Sequence, residues 1–84
     1  MKKALLNFTE TLSSRALHET LARDLDFPAS YGHNLDALYD CLTESNEPTE
    51  IHLSGAIDTP LCHRFLRVIT AAAAENPELT VITE

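Results

Sequence analysis

The chain has 84 residues, 44% of them hydrophobic and 23% charged, a composition ordinary for a folded globular protein and a length that leaves no room for two independently packed cores. Thirteen acidic side chains against six basic ones give a formal net charge of -7, a field that repels phosphate and argues against direct contact with nucleic acid. The expectation is a single domain over residues 1–84.

The opening MKKALLNFTE lacks the apolar run of a secretory leader, and no later stretch approaches the length of a membrane span. The expected setting is therefore the cytoplasm, without a membrane partner. Cys41 and Cys62 are expected there as buried, reduced thiols. Residues 3–8 (KALLNF) read as a strand, and residues 9–14 as a polar stretch rich in helix-capping residues. Ala16, Leu17, Leu21 and Leu25 then recur at helical spacing and predict a helix over 14–25, ended by Pro28. FPASYGH, residues 27–33, carries the Pro, Ser and Gly of a structured loop.

The next segment predicts a helix over 34–43, whose layout follows from about 100° of rotation per residue. Leu35, Leu38, Cys41 and Leu42 gather on one side and predict the core face. Asp36, Tyr39, Asp40 and Thr43 fall on the opposite side, toward solvent. EIHLS (50–54) alternates as a strand, and Leu61, Phe65, Val68, Ile69 and Ala72 give a helix over 60–74 with Pro60 in its first turn. Asn76-Pro77 ends it, and the β-branched LTVIT, 79–83, is a closing strand. Every strand pair is separated by a helical crossover, which favours parallel pairing. The predicted fold is α/β: a small three-stranded parallel sheet packed with three to four helices in one layer.

Charge is distributed as unevenly as it is abundant. Residues 24–63 contain no Lys or Arg but carry eight acids, Asp24, Asp26, Asp36, Asp40, Glu44, Glu47, Glu50 and Asp58. Such a block draws a basic protein into encounter. Asp36 and Asp40 stand one helical turn apart, repel each other, and have no basic neighbour on the same helix. An uncompensated acidic pair beside an exposed aromatic suits a partner-facing surface.

The run Tyr31-Gly32-His33-Asn34-Leu35-Asp36-Ala37-Leu38-Tyr39-Asp40-Cys41-Leu42-Thr43 closely resembles the signature of the barstar family of ribonuclease inhibitors. Weaker likeness extends over Lys2-Lys3-Ala4, Leu17-His18 and 79–83. The resemblance implies an inhibitor of a small basic ribonuclease, monomeric when free, that confers immunity by covering the nuclease active site. It implies that Asp40 enters that site in place of the scissile phosphate and that Asp36 meets a basic residue at the rim. It further implies that Tyr31, Gly32 and Asn34 contribute the loop, that Tyr39 packs beside the acidic pair, and that Thr43 offers a hydroxyl. The chain departs from the family pattern at Ser30, where a second tyrosine is usual, and at Tyr39, in place of tryptophan. Glu44-Ser45 replaces a glycine-tryptophan pair, Ala71 replaces an acid, and the segment between Leu53 and Phe65 is shorter, as if a short helix were lost.

Other chemistries find less support. His18, His33, His52, His63, Cys41 and Cys62 show no paired ligand spacing, so neither metal nor cofactor is expected. Asp36 and Asp40 on an exposed face have no pocket to separate their pKa values, so no catalytic residues are assigned and the chain is not expected to be an enzyme. The alternative reading is a barstar-like interaction module whose partner is a different basic protein or nuclease.

Overall fold

A computed structural model describes residues 1–9, 13–55 and 59–83. In chain order the elements are β1 (Lys2–Asn7), α1 (Ser14–Asp24), α2 (Leu35–Glu44), β2 (Thr49–Ser54), α3 (Pro60–Glu75) and β3 (Leu79–Thr83). The predicted order holds, and each boundary lies within one residue of its expected place. Of the three to four helices expected, three are present among the described residues. The polar stretch that precedes α1 serves as a cap where it is described: the Ser13 hydroxyl accepts the Ala16 amide at 3.0 Å. Its residues 10–12, and residues 56–58 of the shortened segment, lie outside the described residues.

The three strands form one parallel sheet with β2 in the middle. Ala4 pairs with Ile51 and Ile51 with Val81, while Leu6 pairs with Leu53. These side chains, with Thr49 and Leu79, alternate onto the face that the helices cover, and all but Val81 are buried. The opposite face carries the rows Lys3, Glu50, Thr80 and Leu5, His52, Ile82, none of them buried. One layer of helices therefore covers one face, as expected from so short a chain. Leu17 and Leu21 of α1, Leu38 and Leu42 of α2, and Phe65 and Ile69 of α3 complete the core.

Helix ends determine where the loops go. At the end of α1 the Phe27 amide donates to the Ala22 carbonyl at 2.9 Å, with Asp26 left-handed at φ 56°, the six-to-one bond of a Schellman turn. Phe27 and Ala22 both pack against the core, the apolar contact that usually accompanies this motif. At the start of α3 the Thr59 hydroxyl accepts the Cys62 amide at 3.1 Å, beside Pro60. Asn76, which caps the end of α3, is buried and reaches across to α2. Its Nδ2 donates to the carbonyls of Leu42 at 2.8 Å and Ser45 at 3.0 Å. Two carbonyls at the end of α2, which has no cation in its last turn, thus find a partner on another helix. Among the described residues no helix is long and apolar enough to cross a membrane.

Leu38 is fully buried on the inner face of α2, and its truncation leaves a cavity the sheet cannot close. Leu38→Ala should lower unfolding free energy by about 2 to 5 kcal/mol in urea titration. An unchanged midpoint would place the core face of α2 elsewhere.

Candidate functional site

The loop from 25 to 34 delivers the chain into α2, and one buried contact holds it. Tyr31 is only 6% exposed, with its ring 4.9 Å from that of Phe27. Its hydroxyl meets Nδ1 of His18, on α1, at 2.5 Å. The His18 ring is itself buried and lies 4.9 Å from Phe65 of α3. Burial pushes the Tyr31 hydroxyl well above its usual range, and the field of Cys41 adds to the effect. Burial pushes the His18 imidazole down, with His33 contributing. Both shifts favour one arrangement: Tyr31 donates its proton to a neutral His18 that carries its own on Nε2.

Further along, His33 is the second left-handed residue of the loop after Asp26, at φ 53°, an uncommon conformation for a side chain of this size. Its Nδ1 donates to the Tyr31 carbonyl at 3.1 Å, and its ring lies 5.1 Å from Tyr31. Gly32 is favoured for a different reason from φ. A Cβ there would stand 2.9 Å from Nδ2 of Asn34. The Asn34 side chain is engaged at both ends: Oδ1 accepts the Ala37 amide at 2.8 Å and Nδ2 donates to the Gly32 carbonyl at 3.3 Å. Asn34 is thus the N-cap of α2.

From that cap, α2 presents Asp36 and Asp40 to solvent. Neither carboxylate has an ion-pair partner among the described residues, whose bridges are Arg15 with Glu19, Arg23 with Asp24, and His52 with Glu50. Tyr39 is half-buried, its ring against the core margin. Thr43 donates its hydroxyl back to the Tyr39 carbonyl at 2.9 Å, with the Asp40 carbonyl at 3.2 Å, which leaves its oxygen free only to accept. The structure therefore gathers Asp36, Tyr39, Asp40 and Thr43 on one arc. It sets Gly32 and Asn34 at its head and puts the Tyr31 ring underneath.

Glu44 belongs to this arc, although in the sequence it counts only within the acidic block and as the replacement of a glycine, and is not placed in the site. It is exposed at the third position of the row 36, 40, 44, the four-residue spacing that aligns side chains on a helix. The spacing itself was the available signal. Asn76 was missed as well, because nothing in a linear pattern pairs it with Leu42 and Ser45.

The thiols stand apart from this polar surface. Cys41 is half-buried and Cys62 buried, both free. Burial raises both, and for Cys41 the fields of Glu44 and Asp40 raise it further. Among the described residues no three His, Cys, Asp or Glu side chains form a group able to hold a metal.

The family model described as "Barstar (barnase inhibitor)" matches residues 1–78. A protein of Bacillus subtilis (strain 168), named "Putative ribonuclease inhibitor YrdF", is 46% identical over 61 residues. That match covers 73% of this chain and 55% of the relative, so the chain aligns with about half of the relative's length.

The matched family span includes His18, Tyr31 and the whole of α2, and the histidine gives the site's support a pH dependence. His18 is held neutral in the folded state, while the unfolded chain takes up a proton near the ordinary value of 6.5. Below that pH the unfolded state binds more protons, so stability is complete above it and declines as pH falls through it toward the lowered folded value. Urea midpoints measured between about pH 7.5 and 5 should fall on the acid side. His18→Gln, which does not titrate, should flatten that part of the profile; an unchanged slope would mean that other groups produce it.

Proposed function

The chain belongs to the barstar family, and from this we propose that it inhibits a small basic ribonuclease by laying the outer face of α2 over the active site. The observation that carries the reading is the unpaired acidic arc on a helix whose other face is fixed in the core. Asp36 and Asp40 repel each other, and no internal cation offsets them among the described residues. A partner that brings its own cations relieves that repulsion and gains charge-assisted bonds.

In this reading Asp40 occupies the place of the scissile phosphate, among the cations that would hold it. Asp36, nearer the N-terminus of α2, meets a cation at the rim. Tyr39 supplies apolar area beside them, and Thr43 accepts a hydrogen bond. Gly32 offers its backbone, and Asn34 acts chiefly by setting the direction of the helix, since its amide is used internally. Tyr31 contributes by anchoring the loop through His18, because its buried ring has little surface to offer. The complex works by occlusion, with no bond made or broken by the inhibitor and no cofactor or metal required.

The second reading, an interaction module for a different basic protein or nuclease, is favoured by a specific observation. Where the family carries a second tyrosine, Ser30 is exposed and brings no ring, and the exposed Ala71 brings no acid. Titrating a barnase-like ribonuclease with the purified chain separates the two. Loss of RNA cleavage at stoichiometric chain supports inhibition, and full activity at micromolar chain supports the alternative.

Within the inhibitory reading, Asp40→Ala should weaken the complex by at least about 2 kcal/mol, the loss that marks a hot spot. Its own fold should not suffer, since the change relieves a like-charge contact. Asp36→Ala should weaken binding less. Calorimetric titration of both variants checks the ranking, and an Asp40 variant that binds like the parent would remove the phosphate-mimic role. A further expectation concerns kinetics: added salt should slow association much more than it alters dissociation. Stopped-flow association rates indifferent to salt would count against electrostatic steering.

A further inference from the structure

Beside the acidic arc lies a cavity of about 270 Å³ that the occlusion mechanism does not use. It opens between the loop that follows α1, the C-terminal half of α2 and the first residues of β1 and β2. Leu25, Phe27 and Leu42 supply apolar walls, and Asp26, Glu44 and Glu47 line it with exposed carboxylates. The lining is therefore partly apolar and partly negative. Asp26 is held at the cavity by the left-handed turn that ends α1, so its place is determined by backbone as well as by charge.

We propose that this cavity receives an arginine side chain of the same basic protein that α2 binds. The inference rests on the reading of α2 as a face for a basic partner and extends it to a second contact. Three observations carry it. The chemistry of the cavity matches an apolar stem ending in a cationic fork: the walls take methylenes while the rim offers several oxygen acceptors. Its volume accommodates one long side chain with room for ordered water. And Glu44 is shared, because it is both the third acid of the α2 arc and part of the cavity lining. A partner seated on Asp36 and Asp40 thus has the cavity one helical turn further along.

The local field agrees with a cationic occupant. No basic residue stands in the last turn of α2, so the negative end of the helix dipole is left uncompensated there. Cys41, which lines the cavity, has its thiol raised by burial and by the fields of Glu44 and Asp40, as a group that would become an anion in such a place should. Among the described residues Lys2 is the one cation on the lining, and it forms no ion pair with the three acids. Three carboxylates facing one ammonium leave the cavity negative.

The test begins without the partner. The labelled chain is titrated with N-acetyl-arginine amide and, separately, with its neutral isostere N-acetyl-citrulline amide, while the methyl signals of Leu25 and Leu42 are followed by NMR. Saturable shifts with the arginine probe, and binding roughly fivefold weaker or worse with citrulline, are expected from two or three surface charge pairs. The Glu44→Gln, Glu47→Gln double variant should bind the arginine probe no better than the citrulline one, with an unchanged melting temperature. Equal response to the two probes, or shifts confined to the Asp36 and Asp40 amides, overturns the proposal. The second arm measures the double variant against the barnase-like ribonuclease, where a complex roughly fivefold weaker than the parent's is expected and an unchanged one overturns the assignment. The two readings fail differently: arginine binding without ribonuclease binding leaves the cavity and removes the inhibitor, whereas the reverse removes the cavity alone.

Discussion

The buried contact between Tyr31 and His18 is the constraint on which the acidic surface depends. It joins the loop to α1, and through the tilted contact with the Phe65 ring it joins both to α3. A buried hydroxyl and a buried imidazole each lose water on folding, and each would be destabilising alone. Together they satisfy one another, provided that the tyrosine stays protonated and the histidine neutral, which is what burial enforces. The loop therefore enters α2 from one position. Asn34 can then cap the helix, and the carboxylates that follow are aimed by the core beneath them.

Helix α2 is stable in spite of its outer face. Three acids at four-residue spacing raise the free energy of the isolated helix, and only Asp36 lies where the helix dipole favours a negative charge. What offsets the repulsion is Leu38 and Leu42 on the inner face, both buried, and the Asn76 amide that holds the C-terminal carbonyls. In the proposed function, stability and binding thus fall on opposite sides of the same ten residues. The repulsion left over is free energy that the proposed cationic partner would recover on binding.

A sheet with a single helical layer explains how so short a chain holds such a surface rigid. All three helices lie on the side of Ala4, Leu6, Ile51 and Leu53, so the core is one contiguous cluster and α2 cannot shift without disturbing it. The parallel order β1, β2, β3 places each crossover helix over the same face, because a right-handed connection returns there each time. The other face, with Leu5 54% exposed, takes no part in holding the site.

Much of this was written in local pattern. Strand and helix order followed from periodicity and punctuation. The inner and outer faces of α2 followed from the 100° step, because Leu35, Leu38 and Leu42 leave only one arc for Asp36 and Asp40. Glu44 was equally legible from its spacing. The run from Tyr31 to Thr43 carries the family signature in its residue types and spacing alone. The tertiary structure alone decided what joins residues distant in sequence. It sent the Tyr31 ring inward to His18, which a motif that groups Tyr31 with surface residues does not reveal. It gave the left-handed conformation to His33 and left Gly32 to make room for the Asn34 amide. It brought Asn76 to the end of α2, and Asp26 to the same cavity as Glu44 and Glu47. Periodicity reports which way a side chain points from its own backbone, whereas hydrogen bonds and cavities depend on distances that only the packed chain sets.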